Sequence, residues 1–593
     1  MTDLSADVVI GDFTVPFVVS RPYLNFRISG GDYEYKTCLN VVVNGHIVRS
    51  ETGRGTELLH PASFDLTDWL GKEAQLEIVD EPNGHLRVSD IVLSSTPSVV
   101  VPVMPPLYAE ALRPQLHFTA RQWAIQRLNP VEREEGWLND LNGLVFFDGE
   151  YHLFAQRWNK CWIHAVSNDL VHWTELAPAF FEESLDSGVQ SGSCVIDVDN
   201  TSGLAEPGAG PAMVAFWSRN DNRSQCISYS LDRGRTWAHY AGNPIMDLPE
   251  RDPMVFRDHR RAQWVMVLYG DDRYQLLRSD DLLHWESLDS SISDSFECPD
   301  FFELGVAGSD ESRWVLVRGD GRYSIGSFDG RTFVEETAQL QVDGGPHFYA
   351  TQSWAAGPRR VQVAWMRGGR YPNMPFNQQV SIPCDLSLHR TADGLRMYRT
   401  PVPELETLAR SRHTWPARTL SPASAASSPA STTSSPASTT SSPASTTSSP
   451  ASTDPSAAST DSISSSGSAR SQTDTGAPWS GPWRIGTAWP LLRITCDVAL
   501  APDGELAIDI CGTRVTVTAG SIAVLDAEQP TITAVRKLDI LVDTTSIEVF
   551  ANDGEASLTA CVQPGHYELT LTASGADCTL GELEVVELAS IWV

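Results

Sequence analysis

The chain has 593 residues, which is enough for three or four domains of ordinary size. Its 43 Lys and Arg residues are outnumbered by 75 Asp and Glu residues, so the net charge is -32. A surface this acidic repels phosphate backbones and anionic lipid, and no apolar run approaches the roughly 18 residues of a spanning helix, so neither nucleic acid nor a membrane is an expected partner.

The N-terminal region, residues 1–105, predicts a small antiparallel β-sandwich. It contains short alternating runs bounded by turn residues, among them RPYLNFRISGG and CLNVVVNGHIVRS. We expect this domain to be either a carbohydrate-binding domain or a spacer. Asp3 and Asp7 stand where a secretory signal requires Lys or Arg before an apolar core. The sequence therefore predicts a cytoplasmic protein, with secretion as the alternative.

A repeated motif indicates a five-bladed β-propeller over residues 120–405. Ser-x-Asp, a tight turn and an aromatic residue recur four times, and the aromatic residues are 64, 48 and 48 positions apart. This spacing is typical of one four-stranded blade per repeat. We expect the Asp to cap the turn and the aromatic residue to pack between blades. Further strand patterns up to about residue 405 complete the fifth blade. The aromatic residues are Trp173, Trp237, Trp285 and Phe333.

Residues 418–480 are rich in Ser, Ala, Thr and Pro and predict a disordered insert. The heptapeptide SSPASTT occurs three times between Ser427 and Thr447. Every copy contains Pro and lacks apolar heptad positions, which excludes a coiled coil. Residues 481–593 contain alternating runs such as RKLDILVDTTSIEVF and predict a C-terminal β-sandwich. The predicted fold class is therefore all-β.

The 10 cysteines include no C-x-x-C pair, so we expect neither a zinc ribbon nor a redox site.

Three short segments each place a carboxylate beside a turn-forming residue at the start of a predicted strand. They are Asp140 in WLNDLNG, Asp252 in RDP and Glu297 in ECP. Because the inner strands of a propeller surround a central channel, we expect these carboxylates to converge there. Two carboxylates that flank a sugar are the minimum equipment for glycoside hydrolysis, since one attacks or activates water and the other protonates the leaving oxygen. A third carboxylate beside Arg251 is expected to stay ionised and to hold sugar hydroxyls.

In order and spacing, these segments resemble the W-M-N-D-P-N-G, R-D-P and E-C boxes of glycoside hydrolase family 32, the invertases, levanases and inulinases. The segments SGSCVID from Ser191, FYATQ from Phe348 and LVDTTSIEVF from Leu541 are also similar to family segments. The resemblance extends over nearly the whole chain except the insert. It implies a five-bladed propeller with a C-terminal sandwich, and a retaining mechanism that needs no metal or organic cofactor.

The resemblance also implies roles for particular residues. Asp140 is the nucleophile, Glu297 is the general acid and base, and Asp252 stabilises the oxocarbenium-like transition state. The implied activity is release of terminal β-D-fructose from sucrose, fructo-oligosaccharides or fructans. The residues that fall where the family contacts the terminal fructose are Asn139, Gln156, Trp158, Ser191 and Arg251.

Two departures from the family pattern leave alternatives open. Gln190 stands where an aromatic residue is usual, and the loop after Gln156 is several residues shorter. Both changes affect substrate positioning, so the alternative is a fructan-binding protein with weak or no turnover. A fructosyltransferase, which uses the same triad, is a further alternative. Neither the preferred linkage, β2-1 or β2-6, nor the oligomeric state follows from the sequence.

Overall fold

The computed structural model describes most of the chain outside the insert, and its regular structure is almost entirely β. In the described part, the helical elements are short 3-10 turns at Thr67–Trp69, Pro403–Leu408 and Asn552–Gly554. None of the described helical turns has the length and apolar character needed to cross a membrane. The described residues are 13–31, 37–43, 46–53, 56–80, 85–99, 108–120, 136–157, 161–181, 188–219, 223–371, 374, 376–422, 479–480, 482–486, 490–563 and 568–592.

The N-terminal strands form two antiparallel sheets, with the orders β1-β6-β3-β4 and β5-β2-β7. Alternate side chains such as Leu24, Phe26 and Ile28 from one sheet and Leu39 and Val41 from the other form a single buried core. This is the predicted β-sandwich. Its strands are β1 (Phe13–Val18), β2 (Tyr23–Gly30), β3 (Thr37–Val43), β4 (His46–Thr52), β5 (Thr56–Asp65), β6 (Glu73–Asp80) and β7 (Leu86–Ser94).

Five successive antiparallel sheets then form the blades of the propeller, each in simple up-and-down order. The first strand of each blade lies innermost. The inner strand of blade one lies beside those of blades two and five, which closes the ring. The predicted five-bladed propeller is confirmed.

Blades one to three comprise β8 (Leu141–Phe147), β9 (Glu150–Arg157), β10 (Cys161–Ser167), β11 (Thr174–Phe181), β12 (Val189–Asp197), β13 (Ala212–Arg219), β14 (Gln225–Ser230), β15 (Ala238–His239), β16 (Arg251–Asp258), β17 (Gln263–Gly270), β18 (Arg273–Ser279) and β19 (Glu286–Ser293). Blades four and five comprise β20 (Asp300–Gly305), β21 (Ser312–Val317), β22 (Arg322–Phe328), β23 (Phe333–Glu335), β24 (Leu340–Gln341), β25 (Tyr349–Ala356), β26 (Arg359–Trp365), β27 (Cys384–Thr391) and β28 (Gly394–Pro401), with β24 paired to β22 inside blade four.

The repeated Ser-x-Asp turns perform the predicted structural role. Asp169 Oδ1 accepts hydrogen bonds from the backbone N–H of Val171 (3.0 Å) and of His172 (2.8 Å). The aromatic residue that follows, Trp173, stacks on Trp354 of blade five with 5.8 Å between ring centroids. The same motif therefore both shapes a turn and joins neighbouring blades. Equivalent contacts across blade boundaries are made by Trp237 with Phe154 and by Trp285 with Phe216.

The C-terminal sandwich begins before the insert, which corrects the predicted domain boundaries. Residues 409–421 form two strands that pair with the last strand of the chain, so the strand Arg418–Ser421 belongs to the sandwich rather than to the insert. Trp479–Ser480 extends the same sheet. The remainder of the insert, 423–478, lies outside the described residues. The two sheets enclose one large apolar core.

The strands of this sandwich are β29 (Ala409–Trp415), β30 (Arg418–Ser421), β31 (Trp479–Ser480), β32 (Trp483–Gly486), β33 (Leu492–Leu500), β34 (Glu505–Ile510), β35 (Thr513–Thr518), β36 (Ser521–Val524), β37 (Ala527–Pro530), β38 (Lys537–Asp543), β39 (Ser546–Ala551), β40 (Ala556–Cys561), β41 (Glu568–Ser574) and β42 (Cys578–Leu588).

A buried ionic network joins the propeller to the C-terminal sandwich. His117 contacts Asp543 at 2.7 Å through Nδ1 and Glu548 at 2.9 Å through Nε2. Arg399 of blade five contacts Asp343 at 3.1 Å and Glu548 at 3.5 Å. Burial lowers the pKa of His117, but the hydrogen bonds and charges of its two carboxylate partners outweigh this effect and raise it to about 9. Each carboxylate of this network therefore has a cationic partner.

Candidate active site

Irregular backbone at the start of the inner strands positions the predicted carboxylates. Four of the five inner strands begin with a shift in register against the next strand of the blade, which bends the strand and redirects its side chains. Asp252 and Glu297 have left-handed backbone conformations, with φ of 60° and 39°. Such conformations are costly away from Gly and concentrate at functional sites. The register shifts fall between Asn142 and Val145, Val189 and Gly192, Arg251 and Met254, and Tyr349 and Gln352.

The last position of the WLNDLNG turn, Gly143, requires a glycine for steric reasons. It has φ of 59°, and a Cβ at this position would lie 2.6 Å from the Cβ of Cys194 in blade two. Any larger residue would push the inner strands of blades one and two apart. Asp140 immediately precedes β8, so this close approach determines where its carboxylate lies.

Asp140 is surrounded by three of the residues that the sequence predicted as sugar contacts. Ser191 Oγ donates a 2.8 Å hydrogen bond to Asp140 Oδ2. The backbone N–H of Gln156 donates to the carbonyl of Asp140 at 2.8 Å, and Asn139 Nδ2 donates to Gln156 Oε1 at 2.5 Å. Burial raises the pKa of Asp140, the Ser191 hydrogen bond opposes this, and the nearby charge of Glu297 raises it further. Asn139, Asp140, Gln156 and Ser191 therefore form one connected group.

Asp252 is fully buried, with 5% of its surface exposed. The backbone N–H of Cys298 donates to Asp252 Oδ2 at 3.0 Å, and the Cys298 thiol lies 3.7 Å from the same oxygen. Burial, and then the charge of Asp140, raise the pKa of Asp252 to about 7. Arg251 Nε is 3.6 Å away and lowers this pKa, but by less. The expectation that Arg251 keeps Asp252 fully ionised at neutral pH is therefore wrong, because burial outweighs the ion pair.

Glu297 is held at both carboxylate oxygens. Oε1 contacts Arg251 Nη2, and Oε2 accepts a hydrogen bond from the Tyr349 hydroxyl. The guanidinium of Arg251 lies 4.9 Å above the ring of Tyr269. The Glu297 side chain remains 28% exposed, so it is open to the channel while its orientation is restrained.

The structure brings together all the predicted site residues that it describes. Trp158 lies outside the described residues, so its assignment stays a prediction. Tyr349 lies in the FYATQ segment, whose similarity to the family predicted no role for it. The residue after Tyr349, Ala350, has a left-handed backbone conformation with φ of 44°. The sequence pattern does not predict this conformation. In the part of the chain that the structure describes, no group of three or more His, Cys, Asp or Glu residues is arranged to hold a metal ion.

The sequence matches two family models, the N-terminal domain of glycosyl hydrolases family 32 over residues 131–401 and the C-terminal domain of the same family over residues 513–587. The first model covers the propeller with its three carboxylates, and the second lies within the C-terminal sandwich. A five-bladed propeller with convergent carboxylates and a β-sandwich is thus the architecture of a known hydrolase family.

Named relatives agree with these matches. The chain is 37% identical to a levanase of Bacillus subtilis over 358 residues, which is 54% of this chain and 51% of that protein. It is 28% identical to the extracellular exo-inulinase of Aspergillus niger over 563 residues, which is 82% of this chain and 96% of that protein. The match thus spans about half the length of the levanase. The chain belongs to glycoside hydrolase family 32.

Solved structures share the fold at lower identity. Exo-inulinase from Aspergillus awamori superposes with a TM-score of 0.64 at 22% identity, covering 82% of this chain and 100% of that chain. Fructofuranosidase from Schwanniomyces occidentalis, solved with fructose, superposes with a TM-score of 0.62 at 21% identity, covering 82% and 100%. At this identity the likeness shows that the fold is common to these proteins.

Proposed function

We propose that the protein is a retaining exo-β-fructosidase that releases terminal β-D-fructose from sucrose, fructo-oligosaccharides or fructans. The observation that carries this proposal is the convergence of Asp140, Asp252 and Glu297 from the inner strands of blades one, three and four, close enough for each to alter the electrostatic environment of another. The names of matched relatives, levanase and exo-inulinase, support a fructose-containing substrate.

In the first chemical step, Asp140 attacks the anomeric carbon of the terminal fructosyl unit. The bond to the leaving oxygen breaks, and Glu297 transfers its proton to that oxygen, so that the departing group leaves as a neutral alcohol. Ser191 holds the Asp140 carboxylate, and Arg251 with Tyr349 holds Glu297. Both reacting groups are therefore oriented before substrate arrives.

In the second step, Glu297 removes a proton from water, whose oxygen adds to the anomeric carbon as the ester bond to Asp140 breaks. Two inversions at one carbon return the original configuration. Asp252 has a pKa of about 7, so near neutral pH it is available both to donate and to accept hydrogen bonds with ring hydroxyls as positive charge develops.

The direct test is chromatographic detection of free fructose after incubation with sucrose, a β2-1 oligofructan and a β2-6 oligofructan. Asp140→Asn and Glu297→Gln are the matched variants, since each keeps the size of the side chain and removes its ionisable group. Fructose release by the unchanged protein alone supports the proposal, and the preferred oligofructan identifies the linkage.

Two other results would contradict the hydrolase assignment. Affinity for an oligofructan without release of fructose, from protein that melts cooperatively, would indicate a fructan-binding protein. Longer oligosaccharides formed in place of free fructose would indicate a fructosyltransferase.

A further inference from the structure

A second cation near the site, Arg367, packs against an aromatic ring but is not paired with an acid in the described part of the chain. Arg367 follows β26 and is exposed, with its guanidinium carbon 4.6 Å above the ring of Tyr349. Within the described part of the chain, this guanidinium forms no hydrogen bond or ion pair with protein atoms. A guanidinium that lies over an aromatic ring without a hydrogen bond to protein atoms keeps its five N–H donors for other partners. The donors of Arg367 are thus available to a ligand.

The backbone around Arg367 is fixed. The N–H of Arg367 donates to the carbonyl of Trp365 at 2.9 Å. Buried Gln378 accepts from Trp365 Nε1 at 3.0 Å and from the N–H of Gly368 at 3.2 Å. Gly368 has φ of 100°, a conformation that other residues rarely adopt. The loop therefore presents Arg367 at a defined position rather than as a freely moving surface residue.

The contacts of Tyr349 indicate which part of a substrate Arg367 meets. The Tyr349 hydroxyl is bonded to Glu297, the group that must reach the leaving oxygen. Asp140, held by Ser191, must attack the fructosyl carbon, whereas Glu297 must face the leaving oxygen. Since Arg367 lies over the ring of Tyr349, whose hydroxyl is bonded to Glu297, it lies near the group that protonates the leaving oxygen.

We propose that Arg367 is a specificity-determining residue that binds the leaving group of the substrate and selects leaving groups that carry several hydroxyls, such as a sugar. The planar N–H donors match the oxygens of neighbouring hydroxyls, whereas a small alkyl leaving group cannot reach them. This inference rests on the proposed function, because it assigns a part of the same substrate.

The test compares sucrose, whose leaving group is a sugar, with methyl β-D-fructofuranoside, whose leaving group is methanol. For Arg367→Ala we expect kcat/KM on sucrose to fall by about 10-fold to 100-fold, the usual effect of losing hydrogen bonds from a charged group. On the methyl fructoside, measured at the pH optimum of each variant, we expect a change of no more than about twofold. Exposed Arg370→Ala is the matched control and should leave both substrates unaffected.

Arg367→Lys separates charge from shape. The charge of Arg367 lowers the pKa of Asp140, so Arg367→Ala should move the acid limb of the pH–rate profile to higher pH on both substrates. Lysine keeps the charge without the planar donors. It should restore the acid limb but not the rate on sucrose.

The outcomes distinguish this inference from the proposed function. If the unchanged protein releases fructose from neither substrate, the proposed function fails. If it cleaves both and Arg367→Ala lowers both rates equally, or if Arg367→Lys recovers full activity on sucrose, the assignment of Arg367 is overturned. An acid limb that does not move in Arg367→Ala would contradict the effect of the Arg367 charge on the pKa of Asp140.

Discussion

Two buried clusters of acids in this protein have opposite electrostatic character. At the junction of propeller and sandwich, burial raises the pKa of Asp543, but hydrogen bonds and charge from His117 outweigh it, so the pKa is lowered. The pKa of Glu548 is lowered in the same way by His117 and Arg399. In the propeller channel, burial and mutual repulsion raise the pKa of Asp140 and of Asp252. Asp252 is buried in the channel, as Asp543 and Glu548 are in the junction, so burial alone does not separate the two clusters.

The difference lies in how the cations are distributed. Both His117 nitrogens and the Arg399 guanidinium face carboxylates in the junction, so each negative charge is compensated where it lies. In the channel, Arg251 contacts Glu297 directly and lies 3.6 Å from Asp252. The Asp140 carboxylate accepts a hydrogen bond from the neutral Ser191 hydroxyl and forms no ion pair within the described part of the chain. A cluster with uncompensated acids costs stability and persists where chemistry requires it.

We expect the largest effect from a substitution in the channel cluster. Asp140→Asn should lower the rate of fructose release by about 10⁴-fold or more, because the covalent step has no nucleophile. Desolvation and the charge of Glu297 disfavour the ionised carboxylate of Asp140, so the melting temperature should not fall when that charge is removed. Release assays and thermal melts on the same preparation test both statements. A variant that is inactive because it has unfolded would contradict the comparison.

We expect the next largest effect from a substitution in the junction cluster. Glu548→Ala leaves His117 and Arg399 as buried cations with one fewer partner, and we expect it to cost about 3–5 kcal/mol of folding free energy. Exposed Glu336→Ala is the control and should cost less than about 1 kcal/mol. Denaturant unfolding measures both. Molecules of Glu548→Ala that remain folded should keep the activity of the unchanged protein.

A pH titration sharpens the comparison. His117 has a folded-state pKa of about 9, above its ordinary value of 6.5, so its contribution to stability is fully present below pH 6.5 and is lost as the pH rises to 9. The loss should reach about 3 kcal/mol at most, from about 1.4 kcal/mol per pKa unit. Thermal melts between pH 6 and 9.5 should show this decline, and His117→Gln should flatten it. An equal decline in that variant would assign it to other groups.

A second pH titration concerns the channel, and here the variant should gain stability. The pKa of Asp252 is raised from 3.8 to about 7, so the folded state holds an extra proton in this range and loses stability as the pH rises through it. Asp252→Asn should therefore increase the melting temperature at pH 7.5 by roughly 1–3 °C and change it little at pH 4. A lower melting temperature at pH 7.5 would show that ionised Asp252 is stabilised by its neighbours.

The fold class and the three carboxylate segments could be predicted from local sequence patterns. Turn residues and strand alternation are local signals, and the four-fold recurrence of one turn with an aromatic residue sufficed to predict blades. The sequence also predicted that Asp140, Asp252 and Glu297 meet, because inner strands of a propeller must start around one channel. Asn139, Gln156, Ser191 and Arg251 followed from the family resemblance, and the structure places them beside these carboxylates.

The surroundings of the three carboxylates could be seen only in the tertiary structure. Tyr349 contacts Glu297 from another blade. A local sequence pattern cannot predict a contact between residues so far apart along the chain. The pKa of Asp252 depends mainly on burial and on Asp140. The adjacent Arg251 in the sequence therefore led to the wrong expectation that the pKa is low. The strand Arg418–Ser421 joins the sandwich because it pairs with residues near the C-terminus. In each case the deciding contact joins residues far apart in sequence, and its energy depends on how much water the fold excludes.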